Sequence, residues 1–340
     1  MYKLNILVTG GLGFIGSNFI LKTLSKFQEY TITNIDACLP GSNFRNLENI
    51  QDDYRYNFIK GNITDPKLMD KLISEHDIII NFAAESHVDR SISNPRPFFD
   101  TNIFGVCTIL ESVKKFNKKL IQISTDEVFG SLEQGSANEQ SLLNPSSPYS
   151  SSKASAELIG NSYHITYNLD IIITRCTNNF GPRQFPEKLI PKVILLAEQN
   201  KKIPIYGSGA NIRDWIFVDD HCEAIHNVLL NGKSGKSYNI SAENEIDNIT
   251  IVKKILSLMN KSEDLIEFVE DRPGHDFRYS LDSSKLRTEL QWVQKTNFEE
   301  GLKKTVNWYM SNQQWCKDLD RNYEGNIPWK NKSQIINNKK

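Results

Sequence analysis

The chain has 340 residues, 39% of them apolar and 24% charged, with 40 basic against 41 acidic side chains and a formal net charge of −1. That length suits one large α/β unit carrying a smaller lobe, and the balanced charge leaves no electrostatic footprint for nucleic acid or an anionic membrane. Five scattered cysteines without a CxxC pair fit neither a disulfide framework nor a zinc knuckle, so a reducing, cytoplasmic setting and a small-molecule partner are expected. The opening MYKLNILVTG lacks the apolar core and small-residue cleavage site of a signal peptide, and no apolar run approaches membrane-spanning length.

Short β-branched runs alternate with longer segments of helical period. Residues 6–9, 31–35, 78–82, 120–124 and 170–174 read as strands, and 14–27, 66–74, 97–116 and 148–167 as helices, three of them opened or preceded by proline. Such alternation predicts a doubly wound parallel sheet of Rossmann type. Beyond Asn178 the order turns irregular, with a Gly181-Pro182 break and a turn at Tyr206-Gly207-Ser208-Gly209, so a smaller α/β lobe is expected to begin there. Residues 218–242 read as a helix and strand returning to the core. Residues 249–259, 282–290 and 298–310 then supply helices for the smaller lobe, and 331–340 form a polar tail. The expected division is therefore 1–177 with 218–242 for the nucleotide-binding unit, and 178–217 with 243–330 for the substrate lobe.

Gly10-Gly11-Leu12-Gly13-Phe14-Ile15-Gly16 follows a predicted strand and opens a predicted helix. That context gives a glycine pattern its meaning: the backbone turns tightly and brings free N–H groups to a pyrophosphate. Asp36 ends the second strand twenty residues after Gly16, where a carboxylate accepts from ribose hydroxyls and repels a 2′-phosphate, or else caps a turn. NAD is favoured over NADP.

Tyr149 and Lys153 stand four apart in one predicted helix, so both reach one ligand, and an ammonium beside a phenol lowers its pKa. Ser124-Thr125-Asp126-Glu127 closes a strand at the carboxyl edge of the sheet. Neighbours on a strand point to opposite faces, so both acids serve one substrate only if the backbone leaves strand geometry at Thr125 or Asp126, as the Phe129-Gly130 turn signal suggests. Unequal burial would then leave one as general acid and the other as general base. His221-Cys222 with His226 does not match the HExxH spacing and reads as part of an amphipathic helix, so no metal is expected.

Together with the segments Ala83-Ala84-Glu85-Ser86-His87-Val88-Asp89-Arg90, Asn178-Asn179-Phe180-Gly181-Pro182, Pro186-Glu187-Lys188-Leu189-Ile190-Pro191, Ile212-Arg213-Asp214-Trp215 and Asp271-Arg272-Pro273-Gly274-His275, these motifs resemble the dTDP-glucose 4,6-dehydratases of the extended short-chain dehydrogenase/reductase family. The acid pair and the Pro-Glu-Lys-Leu-Ile-Pro segment separate that resemblance from simple sugar-nucleotide epimerases. The resemblance implies C4 oxidation, C5/C6 elimination of water and hydride return to C6, in deoxysugar biosynthesis with dTDP-rhamnose as the expected outlet. Thr125, Asp126, Glu127, Tyr149 and Lys153 would carry this chemistry.

By the same resemblance NAD would contact Gly10, Gly13, Phe14, Ile15, Gly16, Asp36, Asn62, Ile63, Ala83, Ala84, Ser86, Thr101, Tyr149, Lys153 and Asn179. The nucleotide-sugar would meet His87, Thr125, Asn178, Glu187, Lys188, Leu189, Pro204, Ile205, Tyr206, Arg213, Asn248, Asp271, Arg272 and His275. A homodimer through faces of 97–116 and 148–167 is also implied. Two positions depart from the family pattern: Asn62 stands where an aspartate is usual, and Phe129 where a tyrosine is. The competing readings are a UDP- or CDP-sugar 4,6-dehydratase, a 4-epimerase, and, from another class, a non-catalytic NAD-binding sensor.

Overall fold

The computed structural model describes residues 3–317 and 319, and the polar tail expected over 331–340 lies outside them. In chain order, β1 (Leu4–Thr9) is followed by α1 (Phe14–Lys26), β2 (Tyr30–Asp36), β3 (Tyr56–Lys60), α2 (Pro66–Glu75) and β4 (Ile78–Asn81). The short helices α3 (Val88–Ser93) and α4 (Arg96–Phe99) then lead into α5 (Val106–Phe116), β5 (Lys119–Thr125), α6 (Pro148–Tyr167) and β6 (Ile171–Cys176). The remainder comprises β7 (Asn178–Phe180), α7 (Leu189–Glu198), β8 (Ile203–Tyr206), β9 (Ile212–Phe217), α8 (Val218–Asn231) and β10 (Ser237–Ile240). After these come β11 (Glu245–Asp247), α9 (Asn248–Leu258), β12 (Ile266–Val269), α10 (Ser284–Leu290), α11 (Phe298–Ser311) and α12 (Gln313–Lys317).

Seven strands form one parallel sheet in the order β10-β6-β5-β4-β1-β2-β3, with Ile6 in register beside Ile32 and Ile78. Every residue of Ile78–Asn81 is buried, as a strand covered on both faces by helices must be. One face packs on α1 and α8 and the other on α2, α5 and α6, giving two apolar layers. A third core, around Phe180, Ile194, Trp215 and Leu302, sits under the small sheets β11-β9-β7 and β12-β8.

Three features differ from the sequence expectation. β3 was not anticipated, because its residues are mostly half-buried or exposed at the sheet edge and carry no apolar run. The helix expected over 97–116 begins at Arg96 and contains a π-helical stretch, Asp100–Gly105, whose wider turn periodicity does not reveal. The segment expected over 282–290 as part of the smaller lobe packs instead on β10 and α8, because Leu286, Leu290 and Trp292 face the main core.

α6 begins at a Ser147 cap whose hydroxyl accepts from Ser150 N, with Pro148 in its first turn, and it ends at Asn168 in the left-handed region. Deep beneath its middle, the Arg175 guanidinium of β6 holds the Glu157 carboxylate with contacts of 2.7, 2.9 and 3.1 Å. Both residues are buried, and the Phe129 ring lies 4.9 Å from the guanidinium. A buried charge left without its partner is costly, so Arg175→Met should lower stability by about 3–5 kcal/mol, read as a shift in urea midpoint. Replacing both partners by apolar residues should recover at least half of that loss, because no unpaired charge remains.

Candidate active site

The strand order reverses between β1 and β4, and a cleft of about 300 Å³ opens at their carboxyl ends. Gly10 there has φ +70°, and a Cβ on it would sit 2.7 Å from the Ala83 backbone. A Cβ on Gly16 would come within 2.6 Å of the Gly10 carbonyl. Gly13 provides no side-chain cap for α1, so the first-turn N–H groups of that helix remain available to an anion.

Asp36 accepts from Leu12 N at 3.0 Å, Cys38 N at 2.8 Å and the Ser42 hydroxyl at 2.7 Å, so it caps the surrounding loop while lining the cleft. Asn62 closes a turn by accepting from Thr64 N. Every residue assigned above to the cofactor lines this cleft. The glycine cradle, the uncapped helix start and a carboxylate at the end of β2 fit an NAD dinucleotide.

β5 stops at Thr125, whose extended backbone gives way to a 3₁₀ turn over Asp126–Phe129. This departure from strand geometry sends both Asp126 and Glu127 into the cleft with Tyr149 and Lys153. Thr125 Oγ1 donates to Asp126 Oδ1 at 3.0 Å, and Asp126 Oδ2 is buried with no partner. Burial, then the neighbouring Glu127 charge, pushes the Asp126 carboxyl up to about 8. Burial raises Glu127 as well, but Arg272, Lys188 and Arg213 act in the opposite direction. One acid is thus kept neutral by its surroundings, while the other faces cations that favour its charge.

Lys153 donates to the Ile123 carbonyl at 2.6 Å, and burial brings its ammonium down to about 8. That hydrogen bond draws the ammonium to the strand end. Burial and the Glu127 charge hold Tyr149 well above its ordinary pKa, with the Thr125 hydroxyl pulling the other way.

A second cleft of about 790 Å³ joins the first at Glu127, Asn178 and Lys188. Apart from Thr125, in the first cleft, and Asp271, the residues assigned to the nucleotide-sugar line it. Asp271 stands behind, its carboxylate accepting from His275 Nδ1 at 2.6 Å. Arg272 donates to Asp89 at 2.8 Å, Tyr206 donates to the other oxygen of Asp89 at 2.9 Å, and Arg90 grips Glu187 at 2.9 Å. Burial holds His87 and His275 down to about 4, so both are neutral hydrogen-bonding groups near neutral pH.

Several contributing side chains were not singled out from the sequence. Tyr279 lines the second cleft, lies 4.3 Å from the Arg213 guanidinium and donates to Asp276 at 2.5 Å. The DRPGH motif continues to it, and that continuity was the available signal. Asn102, in the π-helical stretch, bonds both backbone groups of Glu85 and the Ser152 hydroxyl, tying the cleft wall to α6. His221 and His226 do not converge, since His221 Nδ1 meets Asn179 Oδ1 and His226 Nε2 meets the Thr23 hydroxyl.

The displaced acidity of Asp126 has a consequence for stability. Its pKa lies near 8 folded and near the ordinary carboxyl value of about 3.9 unfolded, so the folded chain binds the extra proton between those values and loses stability as pH rises through that window. Asp126→Asn removes the penalty. The variant should melt at a higher temperature than the parent at pH 8, with the difference shrinking toward pH 5 in differential scanning calorimetry.

A family model described as GDP-mannose 4,6 dehydratase matches residues 7–305. The chain is 43% identical to the dTDP-glucose 4,6-dehydratase of Xanthomonas campestris pv. campestris strain B100, over 93% of this chain and 96% of that protein. Among solved structures, the dTDP-glucose 4,6-dehydratase from Bacillus anthracis in complex with NAD is 48% identical, with a TM-score of 0.88 over 93% of this chain and all of that one. DesIV, the dTDP-glucose 4,6-dehydratase from Streptomyces venezuelae solved with NAD bound, is 40% identical, with a TM-score of 0.92 over 93% and 100%. With relatives of this kind matching nearly the whole chain in sequence and in fold, it belongs to the dTDP-glucose 4,6-dehydratase family.

Proposed function

We propose that this chain is an NAD⁺-dependent dTDP-glucose 4,6-dehydratase, converting dTDP-glucose to dTDP-4-dehydro-6-deoxy-glucose and water. The observation that carries this reading is the pair of adjacent carboxyls, Asp126 and Glu127, turned into one cleft beside Tyr149 where the cofactor and substrate clefts meet. A 4-epimerase needs no such pair, and a sensor needs no acid held neutral at pH 7.

When bound, NAD⁺ supplies the acceptor for the C4 hydride and its return at C6. Tyr149 takes the C4 hydroxyl proton as its phenolate, a form that the Thr125 hydroxyl favours and that the positive charge of bound NAD⁺ would favour further against the burial opposing it. The resulting C4 carbonyl acidifies C5–H, and Glu127, facing Arg272, Lys188 and Arg213, removes that proton. Asp126 gives its proton to the departing C6 hydroxyl, which leaves as water. The proton held on Glu127 returns to C5 as C6 receives the hydride taken from C4, and the proton that Tyr149 took from the C4 hydroxyl replaces the one Asp126 gave to water, so atoms and electrons balance with no external reductant. Arg272, Arg213 and Lys188 offer the charged donors that a diphosphate requires.

General acid or base groups contribute about 10²–10⁴-fold to rate. Glu127→Gln should lower dehydration of dTDP-glucose at least about 100-fold while leaving dTDP affinity within about threefold, measured by product chromatography and calorimetric titration. An active variant would remove Glu127 from the chemistry.

We further propose that the chain works as a cytoplasmic homodimer. All five cysteines are free thiols, and no helix of the described residues is long and apolar enough to cross a membrane. Phe104, Leu158 and Ile165 are 58%, 60% and 81% exposed on and beside the adjoining helices α5 and α6, an apolar face suited to a second copy. Leu158→Glu with Ile165→Glu should convert a dimer to a monomer in sedimentation velocity, and an unchanged dimer would place the interface elsewhere.

A further inference from the structure

Five cationic side chains line the larger cleft, Arg90, Lys188, Lys192, Arg213 and Arg272, against three carboxyl groups, Asp89, Glu127 and Glu187. Four of the cations have partners. Arg90 is paired with Glu187 and Arg272 with Asp89, Lys188 donates to the Ser86 carbonyl at 2.8 Å, and Arg213 donates to the carbonyls of Ile212, Asp276 and Phe277. The exception is Lys192. It is half-buried on α7, one turn beyond Lys188, and its ammonium has no hydrogen-bond or ion-pair partner among the described residues. Nearby Asp89 already accepts from Arg272 and Tyr206, and Arg272 Nε is itself buried without an acceptor.

A cation drawn partly out of water without a counter-charge is unfavourable unless a ligand compensates it. Burial accordingly lowers the Lys192 pKa, with Asp89 opposing. Among the cations of this one cleft, Lys192 Nζ, Arg272 Nε and Arg90 Nε are donors without a protein partner, and the cations exceed the carboxyls by two. Lys192 shares this cleft with Pro204, Ile205 and Tyr206, and α7 packs on β8. A nucleoside diphosphate meets both conditions, because it carries negative phosphates and a pyrimidine edge of carbonyl oxygens, and an ammonium can only donate to such groups.

Resting on the nucleotide-sugar reading above, we infer that Lys192 is a substrate-recognition residue, donating to an oxygen of the nucleoside diphosphate half and setting affinity rather than chemistry. Charge-assisted hydrogen bonds of this kind correspond to about a ten- to hundredfold change in affinity. Lys192→Met keeps the apolar stem, and Lys192→Arg keeps the charge.

Calorimetric titration of the NAD-loaded protein with dTDP and with thymidine, beside steady-state kinetics, tests the assignment. Lys192→Met should weaken dTDP at least about tenfold and raise KM in step, with kcat changed less than about threefold, while Lys192→Arg restores most of the loss. Weakening confined to dTDP puts the acceptor on the phosphates, and equal weakening of thymidine puts it on the base or sugar. A Lys192→Met protein that binds dTDP within about twofold of the parent overturns the assignment of Lys192 alone. A parent protein that does not bind dTDP overturns the nucleotide-sugar reading itself.

Discussion

Two neighbouring carboxyl groups share one buried cleft, and much of the site is arranged around that constraint. Asp126 and Glu127 are consecutive, so strand geometry would separate them to opposite faces of β5. The chain avoids this by breaking into a 3₁₀ turn after Thr125, and burial then raises both pKa values, the Glu127 charge adding to the rise at Asp126. What distinguishes the two is their neighbours. Glu127 looks toward Arg272, Lys188 and Arg213, which favour its anion, whereas Asp126 keeps an unpartnered oxygen in a dry setting that favours its acid.

Holding the turn in place requires support from behind. The Arg175–Glu157 pair joins β6 to α6, and Phe129 of the turn covers the guanidinium. A phenylalanine at this position keeps the ring that packs on the cation, so the departure from the family's tyrosine leaves the support intact. Asn102 plays a comparable part on the cofactor side, where the wider π-helical turn brings its amide to both Glu85 and Ser152. Such buried polar contacts add directional constraints that apolar packing alone would not supply.

Much of this was legible in the sequence, because the signals are local. Alternating β-branched runs and helical periods gave the parallel sheet, and the glycine spacing gave the cofactor cradle between β1 and α1. The turn at Asp126 followed from the requirement that two neighbours reach one substrate. What stayed hidden depends on tertiary partners. β3 lacks an apolar run because it sits at an edge, and the period of α10 shows an apolar face without showing which core receives it. Asp271 belongs to the matched motif yet stands behind His275, and Lys153 turns to a backbone carbonyl instead of the phenol. Spacing records which residues can meet, whereas competition among hydrogen-bond partners decides which do.

The central claim is that this cleft removes water from a sugar without net change in redox state. Mass spectrometry of the purified protein incubated with NAD⁺ and dTDP-glucose, without reductant and beside UDP- and CDP-glucose, addresses it most directly. The account predicts loss of one water from dTDP-glucose, faster than from the other two. An unchanged mass with the galactose epimer appearing, or no change in any nucleotide-sugar, would contradict it.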